Sequence, residues 1–198
     1  MTNAVQIAAE AFDFLNKHVG TYPHKQLDII IGDLSSMQYP GIVTVGTAEN
    51  EWSLKHSLVH EIVHQWFYAI VNNDPYHDGW LDEGLTELTT SLYLNDFSFA
   101  QKFYTTYSKP TNLPLSEYEG ADIIKRLYAQ PVMKFKDLFD SLGGGEVGIT
   151  FLHAYFTNYQ YKQVSTDEFV RFTKAYFGLN DDTFFQDWLK KGKQDTTQ

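Results

Sequence analysis

The chain has 198 residues, of which 43% are hydrophobic and 20% charged, a composition that suits a folded protein with a sizeable core. Its formal net charge of −10 repels phosphate backbones and anionic lipid, so no nucleic acid is expected among its partners. With no cysteine, disulfides and thiol chemistry are excluded, although the compartment is left open.

Residues 4–18 read as an amphipathic helix stopped by Gly20, Tyr22 and Pro23. Leu27, Ile29, Ile30 and Ile31 make 26–32 a short strand. Across 37–46 a turn at Pro40 and Gly41 leads into a second strand, where proline is best tolerated at an edge. From 52 to 71 the pattern is helical, with Leu54, Leu58 and Ile62 four apart and Val59, Val63 and Ile70 on a second apolar flank. The longest apolar region, 57–71, is interrupted by His60, Glu61, His64 and Gln65, so no transmembrane segment is expected. After a turn-rich break at 72–79, a second helix covers 80–94 with Leu81, Leu85, Leu88 and Leu92 on one face.

Further helices are expected around 97–107, 115–128, 131–142, 147–160, 166–177 and 181–191, separated by prolines and glycines. Residues 192–198 read as a flexible tail. The N-terminal residues MTNAVQIAAEAF lack the basic-then-apolar order of a signal peptide. The fold class is therefore α+β, a small strand-containing part over about 1–50 feeding a mostly α-helical remainder.

The helix at 52–71 contains His60-Glu61-Ile62-Val63-His64, an H-E-x-x-H motif. Residues four apart on a helix lie about 40° apart around the axis, so both imidazoles can reach one tetrahedral zinc ion. Glu61 falls on the flank of that face, where it can touch a water at the metal without ligating it, the position of a general base. A metzincin would place glycine and a third histidine where this chain has Phe67 and Ile70, so that reading fails. Glu83 instead follows His64 after 18 intervening residues, on a helix able to return its carboxylate to the two rings. Glu87 lies one turn further on the same face, either holding the outer nitrogen of His60 or solvated. His56, His77 and His153 read as ordinary surface or structural histidines.

HEIVHQWF at 60–67 and WLDEGLTEL at 80–88, with their 18-residue gap, resemble the aminopeptidase N family of gluzincin zinc metallopeptidases. Tyr22 and Pro23 before the first strand and the Tyr39-Pro40-Gly41 stretch before the second are also family-like. The resemblance implies a thermolysin-like catalytic domain over 1–191, with zinc-binding helices at about 52–94 and a helical remainder at about 97–191. It implies one Zn2+ per chain held by His60, His64 and Glu83, with Glu61 as general base and a peptide as substrate. Family members are longer, so flanking domains of a longer parent chain are expected partners.

Two positions depart from the family pattern. Where family members that remove N-terminal residues place a glutamate for the substrate's α-ammonium, this chain has Gln38, a neutral amide. The family's oxyanion tyrosine opens a Tyr-x-x-Gly motif; the local match is Tyr128-Ala-Gln-Pro131, and Tyr128 reads equally as a packing aromatic. Three functions follow: an aminopeptidase-type zinc peptidase, a zinc-retaining pseudopeptidase or binding domain, and a peptidase indifferent to the α-amine. The strand near 41–46 is expected to hold the peptide by strand addition.

Overall fold

The computed structural model of the chain describes residues 2–106 and 109–190, so the expected tail at 192–198 lies outside the described residues. Helix α1 (Thr2–His18) buries Ile7, Ala11 and Leu15, which recur at helical spacing. Strands β1 (Asp28–Gly32), β2 (Met37–Tyr39) and β3 (Ile42–Gly46) form one sheet in the order β1-β3-β2. β1 runs parallel to β3 and β2 antiparallel to it. Pro40 followed by Gly41 at φ +81° gives the chain reversal between β2 and β3, a backbone shape that glycine adopts without strain. Val43 and Val45 face the core, while Ile30, Met37, Tyr39 and Ile42 are exposed on the other face.

This topology corrects the expectation that the strand near 41–46 receives a peptide. β3 is the central strand with both edges already paired, so on that side of the sheet the free edge belongs to β2.

Helix α2 (Glu51–Val63) starts at Asn50, whose side chain accepts the Ser53 N–H at 2.9 Å. It ends well before the expected residue 71, because the next side chains are claimed elsewhere. Gln65 accepts the Gly41 N–H at 2.9 Å and donates to the Tyr39 carbonyl at 3.0 Å, while the Trp66 indole donates to the Gly20 carbonyl at 2.6 Å. Residues 64–70 therefore pass into turns.

Helix α3 (Gly79–Leu94) is anchored at its start by Asp78, which accepts the Thr166 N–H at 3.0 Å and its hydroxyl at 2.6 Å. Then follow α4 (Ser98–Phe103), a 3-10 turn (Leu115–Glu117) and a π-helical turn (Ile124–Ala129) running directly into α5 (Gln130–Leu142). Helices α6 (Gly145–Tyr159) and α7 (Thr166–Phe177) complete the helical part. Trp80 meets Phe169 and Trp188 edge-on at 5.2 and 5.4 Å between ring centroids, an aromatic centre for the core.

The helix expected at 181–191 is instead a series of turns over 181–190. Its backbone is captured from outside: Thr111 donates its N–H to the Trp188 carbonyl at 2.8 Å, and the Asn112 amide bonds both the N–H and the carbonyl of Lys190. Among the described residues, no helix is long and apolar enough to cross a membrane.

Candidate metal centre

Helices α2 and α3 pack against each other and bring the expected residues together. The Nε2 atoms of His60 and His64 stand 3.2 Å apart, and Glu83 Oε2 lies 3.3 Å from each. A tetrahedron with bonds of about 2.0–2.1 Å has edges of about 3.3–3.4 Å, so these three atoms have the spacing of one face around a zinc ion. His60 and His64 are buried and Glu83 is partly buried, with its carboxylate on the open side.

The outer ring nitrogens are held as well. His60 Nδ1 donates to Glu87 Oε2 at 3.0 Å, which leaves its Nε2 lone pair free for a cation. His64 Nδ1 has the Thr86 hydroxyl at 3.1 Å and Asp82 Oδ1 at 2.7 Å. The Asp82 approach lacks hydrogen-bond alignment, and Oδ1 has no other partner, so it acts as a charge contact.

The electrostatics suit a cation. Burial works against a charged His60, yet hydrogen bonds to Glu83 and Glu87 bring its pKa up to about 9. His64 is likewise raised, against its own burial, by the charges of Asp82 and Glu83. Glu83 is held far below the ordinary carboxylate range despite burial, because both histidines surround it. These groups are paired acids and bases of the kind in which a cation can replace the ring protons.

Glu61 is different. Its carboxyl is buried, Oε2 has no hydrogen-bond partner, and burial raises its pKa. A buried carboxylate oxygen without a partner, close to two imidazoles and the Glu83 carboxylate, has the chemistry a proton acceptor needs.

Tyr128 sits in the π-helical turn with its ring stacked on that of His60 at 5.6 Å, and its hydroxyl lies near the Glu83 carboxylate. Burial, then the Glu83 charge, push its pKa up, so the phenol keeps its proton. Two features of the sequence bring it there. Pro131 has no N–H to offer the Leu127 carbonyl, and the preceding turn opens to a π-turn in which Gln130 donates to Lys125 instead. Gly84 then lets that turn approach, since a Cβ there would lie 2.6 Å from Pro131 Cγ and 2.9 Å from the Leu127 carbonyl.

Gln38 is half-buried on β2, opposite the fully buried Val43, so it faces inward from the free edge of the sheet. β2 itself lies against α2.

No family model matches the chain. A curated relative, leukotriene A-4 hydrolase of Xenopus laevis, is 29% identical over 185 residues, covering 80% of this chain and 30% of that protein. Among solved structures, an M1 zinc metallopeptidase variant from Deinococcus radiodurans superposes with a TM-score of 0.74 at 19% identity, covering 93% of this chain and 44% of that one. The chain has an M1 zinc metallopeptidase fold. Aminopeptidase A of Legionella pneumophila gives a TM-score of 0.73 at 14% identity over 96% of this chain and 24% of its own. The resemblance to gluzincins of the aminopeptidase N type thus extends from two motifs to a backbone likeness over 93% and 96% of the chain. The chain spans less than half the length of these relatives.

Within this M1-type fold, sequence reasoning missed several residues. His56, expected at the surface, is buried and bonded through Nε2 to Glu87 Oε1 at 3.0 Å. Its position one turn before His60 was a visible signal, but its partner comes from another helix. Asp82, Thr86 and Gln65 were also missed, and only the acidic pair Asp82-Glu83 offered any sign. His153 and His77 take structural roles, bonding the Val19 carbonyl and Asp74 respectively.

Proposed function

We propose that the chain is a zinc peptidase catalytic unit of aminopeptidase type, with His60, His64 and Glu83 holding one zinc ion. The observation that carries this reading is the unpaired, buried Glu61 carboxylate beside three ligand atoms at tetrahedral spacing. Held there, zinc would supply the Lewis acidity to polarise the scissile carbonyl and to make a water acidic near neutral pH. Glu61 accepts a proton from the attacking water and returns it to the leaving amine nitrogen. The Tyr128 hydroxyl donates to the carbonyl oxygen as negative charge develops there. The peptide lies along the free edge of β2, adding a strand beside Met37–Tyr39.

Gln38 sets the substrate class within this reading. Its amide oxygen accepts a hydrogen bond from an α-ammonium but adds no charge, so a free N-terminus is favoured only weakly. The other candidate, a zinc-retaining pseudopeptidase or binding domain, draws on Gln38 and Pro131. Pro131 packs against Gly84 beside Tyr128, which weakens half of that argument.

The test joins metal analysis to hydrolysis of matched peptides with free and blocked N-termini. One zinc per chain, turnover, and a modest preference for free N-termini are expected. Glu61→Gln should keep zinc and lose turnover. Zinc without hydrolysis, in this chain and in any longer parent, would establish the pseudopeptidase instead.

A further inference from the structure

Glu87 is fully buried, and its two oxygens serve two different histidines. Oε2 accepts from His60 Nδ1 at 3.0 Å, while Oε1 accepts from His56 Nε2 at 3.0 Å and from the Ser91 hydroxyl at 3.3 Å. A carboxylate held from both oxygens has its plane fixed, whereas one held from a single side can rotate about its last bond.

His56 is itself immobilised. Its ring stacks on Trp52 at 5.0 Å and 20° between planes, and Phe99 covers it at 4.9 Å. The Trp52 indole N–H donates at 2.8 Å to Asp96, two residues past the end of α3. This assembly joins the start of α2 to the end of α3. The opposite ends of the same two helices carry His64 and Glu83, so the pair is clamped at both ends.

We propose that His56 is a positioning residue for the metal centre, acting through Glu87 to fix the His60 ring so that its Nε2 faces His64 and Glu83. The proposal rests on the zinc reading above. It makes a geometric demand: a donor is needed where His56 has Nε2, not where it has Nδ1. Glutamine places its amide nitrogen near the former position and asparagine near the latter.

The experiment measures zinc affinity of the full chain by competition with a chromophoric chelator, for wild type and for His56→Gln, His56→Asn and His56→Leu. Cobalt-substituted spectra report the ligand geometry alongside. Partners that orient a metal-bound histidine typically contribute about 10–100-fold in affinity. His56→Gln is expected to stay within about threefold of wild type, while His56→Asn and His56→Leu fall by about tenfold or more with altered cobalt bands. If the leucine variant does not fold, the Gln–Asn contrast still decides. Equal affinity in all variants, or equal loss in Gln and Asn, overturns the proposal. Failure of the wild type to bind zinc would sink the metal site itself, a separate result.

Discussion

Gly84 and Pro131 meet so closely that a single methyl group would not fit between them: a Cβ on Gly84 would come within 2.6 Å of the proline ring. That contact sets how near the π-helical turn, and with it Tyr128, comes to the two histidines. Gly84→Ala should force the turn outward at a cost of about 1–3 kcal/mol, as overpacking of a tight contact does. A lowered melting temperature together with reduced turnover and unchanged zinc content is the expected outcome. A variant as stable and active as wild type would show that the turn yields freely.

Tyr128→Phe removes the hydroxyl but keeps the ring stacked on His60. If that hydroxyl stabilises developing oxyanion charge, kcat should fall by about 10²–10³-fold with zinc stoichiometry intact. Steady-state kinetics on a single peptide decides the matter, and an unchanged kcat would return Tyr128 to a packing role.

Metal uptake should be linked to protons. In the metal-free protein the Glu83 and Glu87 hydrogen bonds overcome burial and hold His60 up at about 9, above an unfolded value of about 6.5. Its stabilising contribution is therefore full below about 6.5 and is lost as pH rises through about 9. Zinc requires the neutral ring, so its affinity should climb over the same interval while metal-free stability declines. Titration calorimetry at neutral pH, in buffers of different ionisation enthalpy, should reveal net proton release on zinc binding. No release would contradict the charge state assigned to His60.

Gln65 is wholly buried and ties the β2–β3 turn to the end of α2. Gln65→Leu leaves the Gly41 N–H and the Tyr39 carbonyl without this partner, and because both are only partly buried the loss should total about 1 kcal/mol. Urea denaturation should show the loss in midpoint. A rise in KM for peptides larger than any change in kcat should accompany it, because β2 is the edge proposed to hold substrate.

The parts of this protein legible in the sequence are those set by local spacing. Four-residue separation placed His60 and His64 together, and the Leu81, Leu85, Leu88 pattern marked α3. The strand-containing start and helical remainder followed from the same periodicities. What escaped depends on partners distant in the chain. α2 stops at Val63 because Gln65 and Trp66 are recruited by residues in the first forty-one. The stretch 181–190 fails to become a helix because Asn112 and Thr111 take its carbonyls and an N–H. β3 is central only because β1 crosses over to pair with it, which no run of residues announces. His56 had an identifiable face but no identifiable partner until α3 delivered Glu87.

The outward face of the small sheet carries Ile30, Met37, Tyr39 and Ile42, all more than a third exposed. Such a surface would draw copies of the chain together, and the net charge of −10 opposes that attraction at a distance. The balance is one of colloidal stability. Dilute buffer keeps the repulsion long-ranged, whereas the Debye length shrinks to about 3 Å in 1 M salt and lets the apolar faces meet. A handling rule follows from the sheet's geometry: low ionic strength, and a pH well above the isoelectric point of about 5.0, keep this chain dispersed.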